Sequence, residues 1–159
     1  MLDSIRIKFD DRGMPAHPAT SPSNLSIPSF ANVFIASLIE QDQFHADAIS
    51  FIARIESKQC RAHLSCIVFV ELAGALSRRV TEEAAREAIE IMNGWIAEGK
   101  LKLYELTKKR MTRAAELAIE LKLRGMDAIA CQIADELTIP FKSYDEQVTK
   151  RIGRRLALL

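Results

Sequence analysis

Apolar residues recur along this chain at two spacings, and the segments that carry them alternate. A short apolar segment, Ile27 to Val33, predicts a strand running into a helix that ends near Gln41. Phe44, Ala48, Phe51, Ile52 and Ile55 then fall three and four apart, predicting an amphipathic helix over Phe44–Ser57. Ala62 to Cys66 reads as a second strand that enters an apolar helix. Thr81, followed by Glu82 and Glu83, is a well-capped helix start, because acids favour a helix N-terminus. The stripe of that helix is Ala85, Ala88, Ile89, Met92, Trp95 and Ile96, suited to a core or a dimer surface, and Gly99 stops it. Leu101 to Leu106 alternates as a third strand. Thr107 caps a helix reaching Leu121 with the face Met111, Ala115, Ala118 and Leu121. Gly125 ends it, a helix follows over Asp127–Leu137, and Pro140 to Tyr144 reads as a fourth strand. A basic helix succeeds Asp145, and Leu156 to Leu159 can add a last strand. This alternation predicts an α/β fold, a three-layer sandwich whose central parallel sheet is flanked by helices on both faces.

The first 24 residues follow a different pattern. Ile5, Ile7 and Phe9 alternate with Arg6 and Lys8 as a short edge strand would. The run Met14 to Ser23, rich in proline and small polar residues, reads as an irregular arm. The organisation expected is therefore an arm over residues 1–24 and one domain over 25–159.

Within that domain the stretch Cys66 to Leu76 stands out, because Glu71 alone breaks its apolar run. A helix apolar on every side is a buried helix. An ionised carboxylate in a buried place must be paired, metal-bound or neutralised. Glu71 is thus either hydrogen-bonded to a neighbouring helix end or an Arg, or aimed into an acidic cleft that needs further acids downstream.

Composition narrows the choices modestly. The chain has 159 residues, 48% apolar and 27% charged, which suits one soluble globular domain. A formal net charge of +1 gives no overall steering field, so nucleic-acid affinity must come from a local patch. Cys60, Cys66 and Cys131 show no metal-binding or disulfide spacing, and Cys66 and Cys131 sit in apolar runs as small packing residues. The absence of a membrane-length apolar run or a secretory leader pattern fits a reducing, cytoplasmic setting. His17 has no sequence neighbours with which to share a metal or a proton, and His45 and His63 are isolated along the sequence.

Candidate chemistry rests on acids. In open parallel α/β sheets, sites lie beyond the carboxyl ends of the strands. Glu71 follows the second strand, Asp145 follows the fourth, and Asp127 opens the helix that feeds it. Asp127 and Asp145 also read as plain helix caps. Gathered together, the three acids would suit a hard cation such as Mg²⁺ and metal-assisted phosphodiester cleavage. Lys108, Lys109, Arg110 and Arg113 crowd a helix start, where cations oppose the macrodipole. Local stability does not explain them. Phosphate binding does, and a solvated face does as well.

Four segments then match a family in order and spacing: Asn32-Val33-Phe34-Ile35-Ala36, Val70-Glu71-Leu72-Ala73-Gly74-Ala75-Leu76, Arg124-Gly125-Met126-Asp127-Ala128-Ile129 and Ser143-Tyr144-Asp145-Glu146. They resemble the four signatures of PIN domains, and most of all the VapC-type toxins of toxin–antitoxin pairs, over about Ile27 to Leu159. The resemblance implies an endoribonuclease dependent on Mg²⁺ or Mn²⁺, with RNA as substrate, an antitoxin partner and a homodimeric state. It assigns Glu71, Asp127 and Asp145 as catalytic and metal-binding acids, Asn32 as the polar residue of the first motif and Ser143 as the small hydroxyl residue before the last acid. The chain departs from the family at Phe30, which takes the place of the first motif's acid. That substitution implies weak metal binding and weak activity, or a PIN-fold module that binds RNA or protein without cutting.

Overall fold

The computed structural model describes residues 23–26, 30–153 and 155–156. Three short strands, β1 (Ser23–Ser26), β2 (Cys60–Ser65) and β3 (Leu101–Tyr104), pair in parallel in the order β1-β2-β3. Leu25 lies opposite Ala62, and Ala62 opposite Leu101. Parallel neighbours require crossover connections. Helices α1 (Phe30–Leu38) and α2 (His45–Glu56) supply the first, and α3 (Val68–Arg79) and α4 (Glu82–Ala97) the second. Helices α5 (Lys108–Leu121), α6 (Gly125–Leu137) and α7 (Glu146–Ile152) complete the described chain.

Alternation along β2 divides the core. Cys60, Ala62 and Leu64 join α1, α2, α3 and α4 in one apolar cluster. There Phe34 packs on Phe30 and on Trp95, with ring centroids 6.1 Å apart in both pairs. His63 and Ser65 point the other way, by the period of two. A second cluster of Leu117, Ala128, Cys131, Ala134, Phe141, Val148 and Ile152 binds α5, α6 and α7 together. Helix α6 packs on β1 and β2, while α2 packs on β2 and α4 on β3. The result is the α/β sandwich with a parallel sheet that the alternation predicted. Thr81 and Thr107 cap α4 and α5, accepting from the N–H groups of Ala84 and Arg110.

Several expectations are corrected. Residues Phe30 to Val33 are helical, and the first strand lies earlier, at Ser23–Ser26. Nearly all of α1 is buried, and a short buried run cannot be told from a strand by periodicity. Helix α3 is not enclosed on every side: Val68, Leu72 and Leu76 are buried, but Val70 is 72% exposed. Phe69, Val70 and Ala73 instead line an open groove with Ala85 and Ile89 of α4. Met92 and Trp95 are core residues and leave no dimer surface of their own. Cys66 is exposed.

The buried face of α5 is Ala114 and Leu117, whereas Ala115 and Met111 are exposed, Met111 by 47%. Ion pairs from Arg110 to Glu136 and from Arg113 to Asp135 turn that side of α5 toward α6. The fourth strand is reduced to an isolated bridge at Phe141. Thr138 leaves α6 in the left-handed region, and the Asp145 N–H donates to Ser143 Oγ at 3.1 Å. Local side-chain bonds of this kind compete with a ladder. The edge strand expected at Ile5–Phe9 and most of Leu156–Leu159 lie outside the described residues.

The rotation of α5 can be checked by chemical denaturation. Leu117→Ala is expected to cost about 2–5 kcal/mol, as large-to-small core substitutions do. Met111→Ala should stay within about 0.5 kcal/mol. The reverse order would restore the face expected from spacing.

Candidate functional site

The carboxyl end of β2 turns directly into α3. Leu64 and Ser65 of the strand, Ile67 and Val68 of the turn and first residue of α3, and Met126, Ile129 and Ala130 of α6 line a narrow cleft with Glu71. Glu71 lies in the first turn of α3 and is half-buried, with no cationic partner among the described residues. Burial raises its pKa, and the charge of Asp127 raises it further. Loss of water around the carboxylate disfavours its charged form, and a second acid nearby disfavours it further.

Asp127 is buried in the first turn of α6, where the macrodipole favours an anion. It is not the N-cap. That position belongs to Arg124, whose side chain makes no cap bond and turns instead to the acids. Arg124 Nε donates to Asp127 Oδ2 at 3.0 Å, and Nη2 donates to Asp145 Oδ2 at 2.7 Å. These bonds raise the pKa of Arg124, the bond to Asp127 most of all. Asp145 is the N-cap of α7, and its Oδ1 accepts from the N–H groups of Gln147 and Val148. Asp145 therefore has a capping duty as well as its contact with Arg124.

The loop that carries Asp145 is fastened to α2. Phe44 and Tyr144 stack with centroids 4.7 Å apart and planes 4° from parallel. Lys142 Nζ lies 3.1 Å from Asp47 Oδ2 and sits over the rings of Phe51 and Tyr144. Asn32 is exposed near the start of α1, and Ser143 spends its hydroxyl on the Asp145 N–H. Sequence reading passed over Arg124 and Lys142. Arg124 had a local signal, because a cation three residues before an acid meets it on a helix surface. Lys142 and Asp47 are 95 positions apart and had none.

The basic patch is partly spoken for. Arg110 grips Glu136 with two bonds, of 2.9 and 2.7 Å, and lies over the Tyr104 ring. The bonds from Arg110 and Gln132 hold the Glu136 pKa down at about 2. Arg113 reaches Glu116 at 3.0 Å and Asp135 at 3.3 Å. Ion pairing with α6 thus explains two of the four cations, correcting the expectation that local stability could not. Lys108 and Lys109 remain exposed.

A divalent ion would make strict demands on this geometry. Such an ion needs several carboxylate oxygens free to turn toward one point. Among the described residues, no three His, Cys, Asp or Glu side chains form a group that could hold a metal. Asp127 and Asp145 are already bridged by a guanidinium. Phe30 is fully buried in the core beside Phe34. Phe30→Asp would place a charge in that core, at a cost of about 3–5 kcal/mol for the lost ring alone. As arranged, the acids do not fit a bound metal.

Comparison with known proteins agrees with the geometry of the fold. The family model described as PIN domain matches residues 31–154. The structure of VapBC2 from Rickettsia felis bound to a promoter DNA fragment is similar, with a TM-score of 0.58 and 18% identity over 86% of this chain and 96% of that one. PAE2754 from Pyrobaculum aerophilum is similar at a TM-score of 0.54 and 14% identity, over 84% of this chain and 87% of that one. No curated protein matches. No helix among the described residues is long and apolar enough to cross a membrane.

The raised pKa of Glu71 carries a consequence for stability. The folded state binds this proton more tightly than the unfolded chain does, so the fold is favoured where Glu71 is protonated. That advantage is lost as pH rises through the glutamate range. Glu71→Gln is therefore expected to raise the thermal midpoint at neutral pH and to leave it nearly unchanged near about pH 3. A lowered midpoint at neutral pH would mean that the ionised Glu71 is stabilised by a partner.

Proposed function

This chain belongs to the PIN domain family, and from that premise we propose that it is a VapC-type protein acting on RNA, with endoribonuclease activity far below that of a four-acid cleft. One observation carries the reading: three separate elements bring Glu71, Asp127 and Asp145 toward the same end of the sheet, one acid short and with two already held by Arg124. A half-buried Glu71 with raised proton affinity suits the role of orienting the attacking water. Exposed Lys108 and Lys109 supply the cations free to meet a phosphate backbone, Arg110 and Arg113 being paired. Mg²⁺ or Mn²⁺, which the family uses, would be held weakly. Asn32 and Ser143 are assigned to the border of the cleft, and residues 25–159 to the domain.

The partners follow from the same premise. An antitoxin protein is proposed because the similar Rickettsia felis structure is a VapBC assembly. A homodimer is proposed because the open apolar groove of α3 and α4, with Val70 at its rim, is unpartnered within the described chain. The second reading, a PIN module that binds RNA without cutting, is favoured by the buried ring of Phe30.

Single-stranded RNA incubated with the purified chain and millimolar Mn²⁺ tests the reading. Slow cleavage is expected, at least about a hundredfold below that of a complete site, since loss of one charge-stabilising group costs that order. Glu71→Gln and Asp127→Asn should abolish it. RNA retention with cleavage no greater than in those variants would establish the binding module instead. Sedimentation of the same sample should show a dimer, and a monomer well above micromolar concentration would contradict that state.

A further inference from the structure

The guanidinium of Arg124 occupies a place that deserves a role of its own. It touches the buried carboxylate of Asp127 with one nitrogen and that of Asp145 with another, at 3.0 and 2.7 Å. Two oxygens from separate elements therefore converge on one positive group. Asp127 is 8% exposed at its side chain, so its charge is shielded little by water and needs a compensating cation. Arg124 itself is 75% exposed, so it can leave toward solvent without disturbing the core. Glu71, the third acid, has no cationic partner among the described residues and feels Asp127.

We propose that Arg124 is a built-in cation that offsets half the charge of the Asp127–Asp145 pair in the place a divalent ion would take, so that metal enters this cleft only when Arg124 is displaced. The proposal rests on the poor fit between these acids and a metal, not on the ribonuclease reading. Arginine suits the role because its planar fork bonds two carboxylates at once and stays charged at every working pH. A divalent ion competing for the same oxygens must break both bonds and meet a nearby positive charge. Lysine, with one compact ammonium head, would bridge the two acids less well.

The test is Mn²⁺ binding followed by the loss of the free-ion electron paramagnetic resonance signal. It uses the full chain as wild type, Arg124→Ala and Arg124→Gln, with thermal melts on each to confirm folding. Arg155→Ala serves as a control that removes a surface guanidinium paired with Asp135 and Glu120, away from the cleft. Both Arg124 variants are expected to bind Mn²⁺ about tenfold or more tightly than wild type, since removal of one adjacent positive charge changes cation affinity by that order. The metal-free Arg124 variants should melt lower than wild type and recover when Mn²⁺ is added. Equal Mn²⁺ affinity in wild type and both Arg124 variants, whether tight or undetectable, overturns the proposal, as does an equal gain in Arg155→Ala. If Arg124→Ala fails to fold, the glutamine variant, which keeps donor groups without the charge, decides alone. The reading of this protein as a ribonuclease can fail while this titration succeeds, because no RNA is present in it.

Discussion

Two carboxylates at the end of a parallel sheet, one of them buried, share a single guanidinium, and the site depends on that arrangement. Asp127 is placed by the first turn of α6 and Asp145 by the cap of α7, so helix starts supply the acids. Each position is favourable for an anion taken alone. Together with Glu71 they concentrate negative charge that the fold must offset. Arg124 offsets part of it, while burial first and the charge of Asp127 second raise the pKa of Glu71. Structure and chemistry thus meet at one interaction: the bond that stabilises the two aspartates is also the bond that a metal would have to break.

The cleft is held open by packing on both faces of the sheet. Beneath one face, Phe30, Phe34 and Trp95 form a chain of rings that anchors α1 and α4. That packing gives the start of α1 a fully buried apolar residue, Phe30. Across the other face, the ion pairs between α5 and α6 fix the helix that carries Asp127. Lys142, Asp47 and the Phe44–Tyr144 stack fasten the loop of Asp145 to α2.

Much of this was legible in the chain itself. The helix caps at Thr81 and Thr107 and the parallel α/β order follow from periodicity and cap chemistry. What escaped had physical causes. Helix α1 is buried on almost every side, so its apolar run carried no period that distinguishes helix from strand. The rotation of α5 is set by ion pairs with α6 across 22 to 26 positions, which spacing within α5 cannot reveal. The strand expected near Phe141 gives way to side-chain bonds at Ser143 and Asp145. Arg124 shows only its short-range partner Asp127 in the sequence, because its bond to Asp145 spans 21 positions.

Anomalous diffraction from crystals soaked in manganese addresses the central claim most directly. Wild-type crystals in low-millimolar Mn²⁺ are expected to show the Arg124 guanidinium between Asp127 and Asp145, with no anomalous peak there. A strong manganese peak bound by Glu71, Asp127 and Asp145, with Arg124 still in contact with both aspartates, would contradict it.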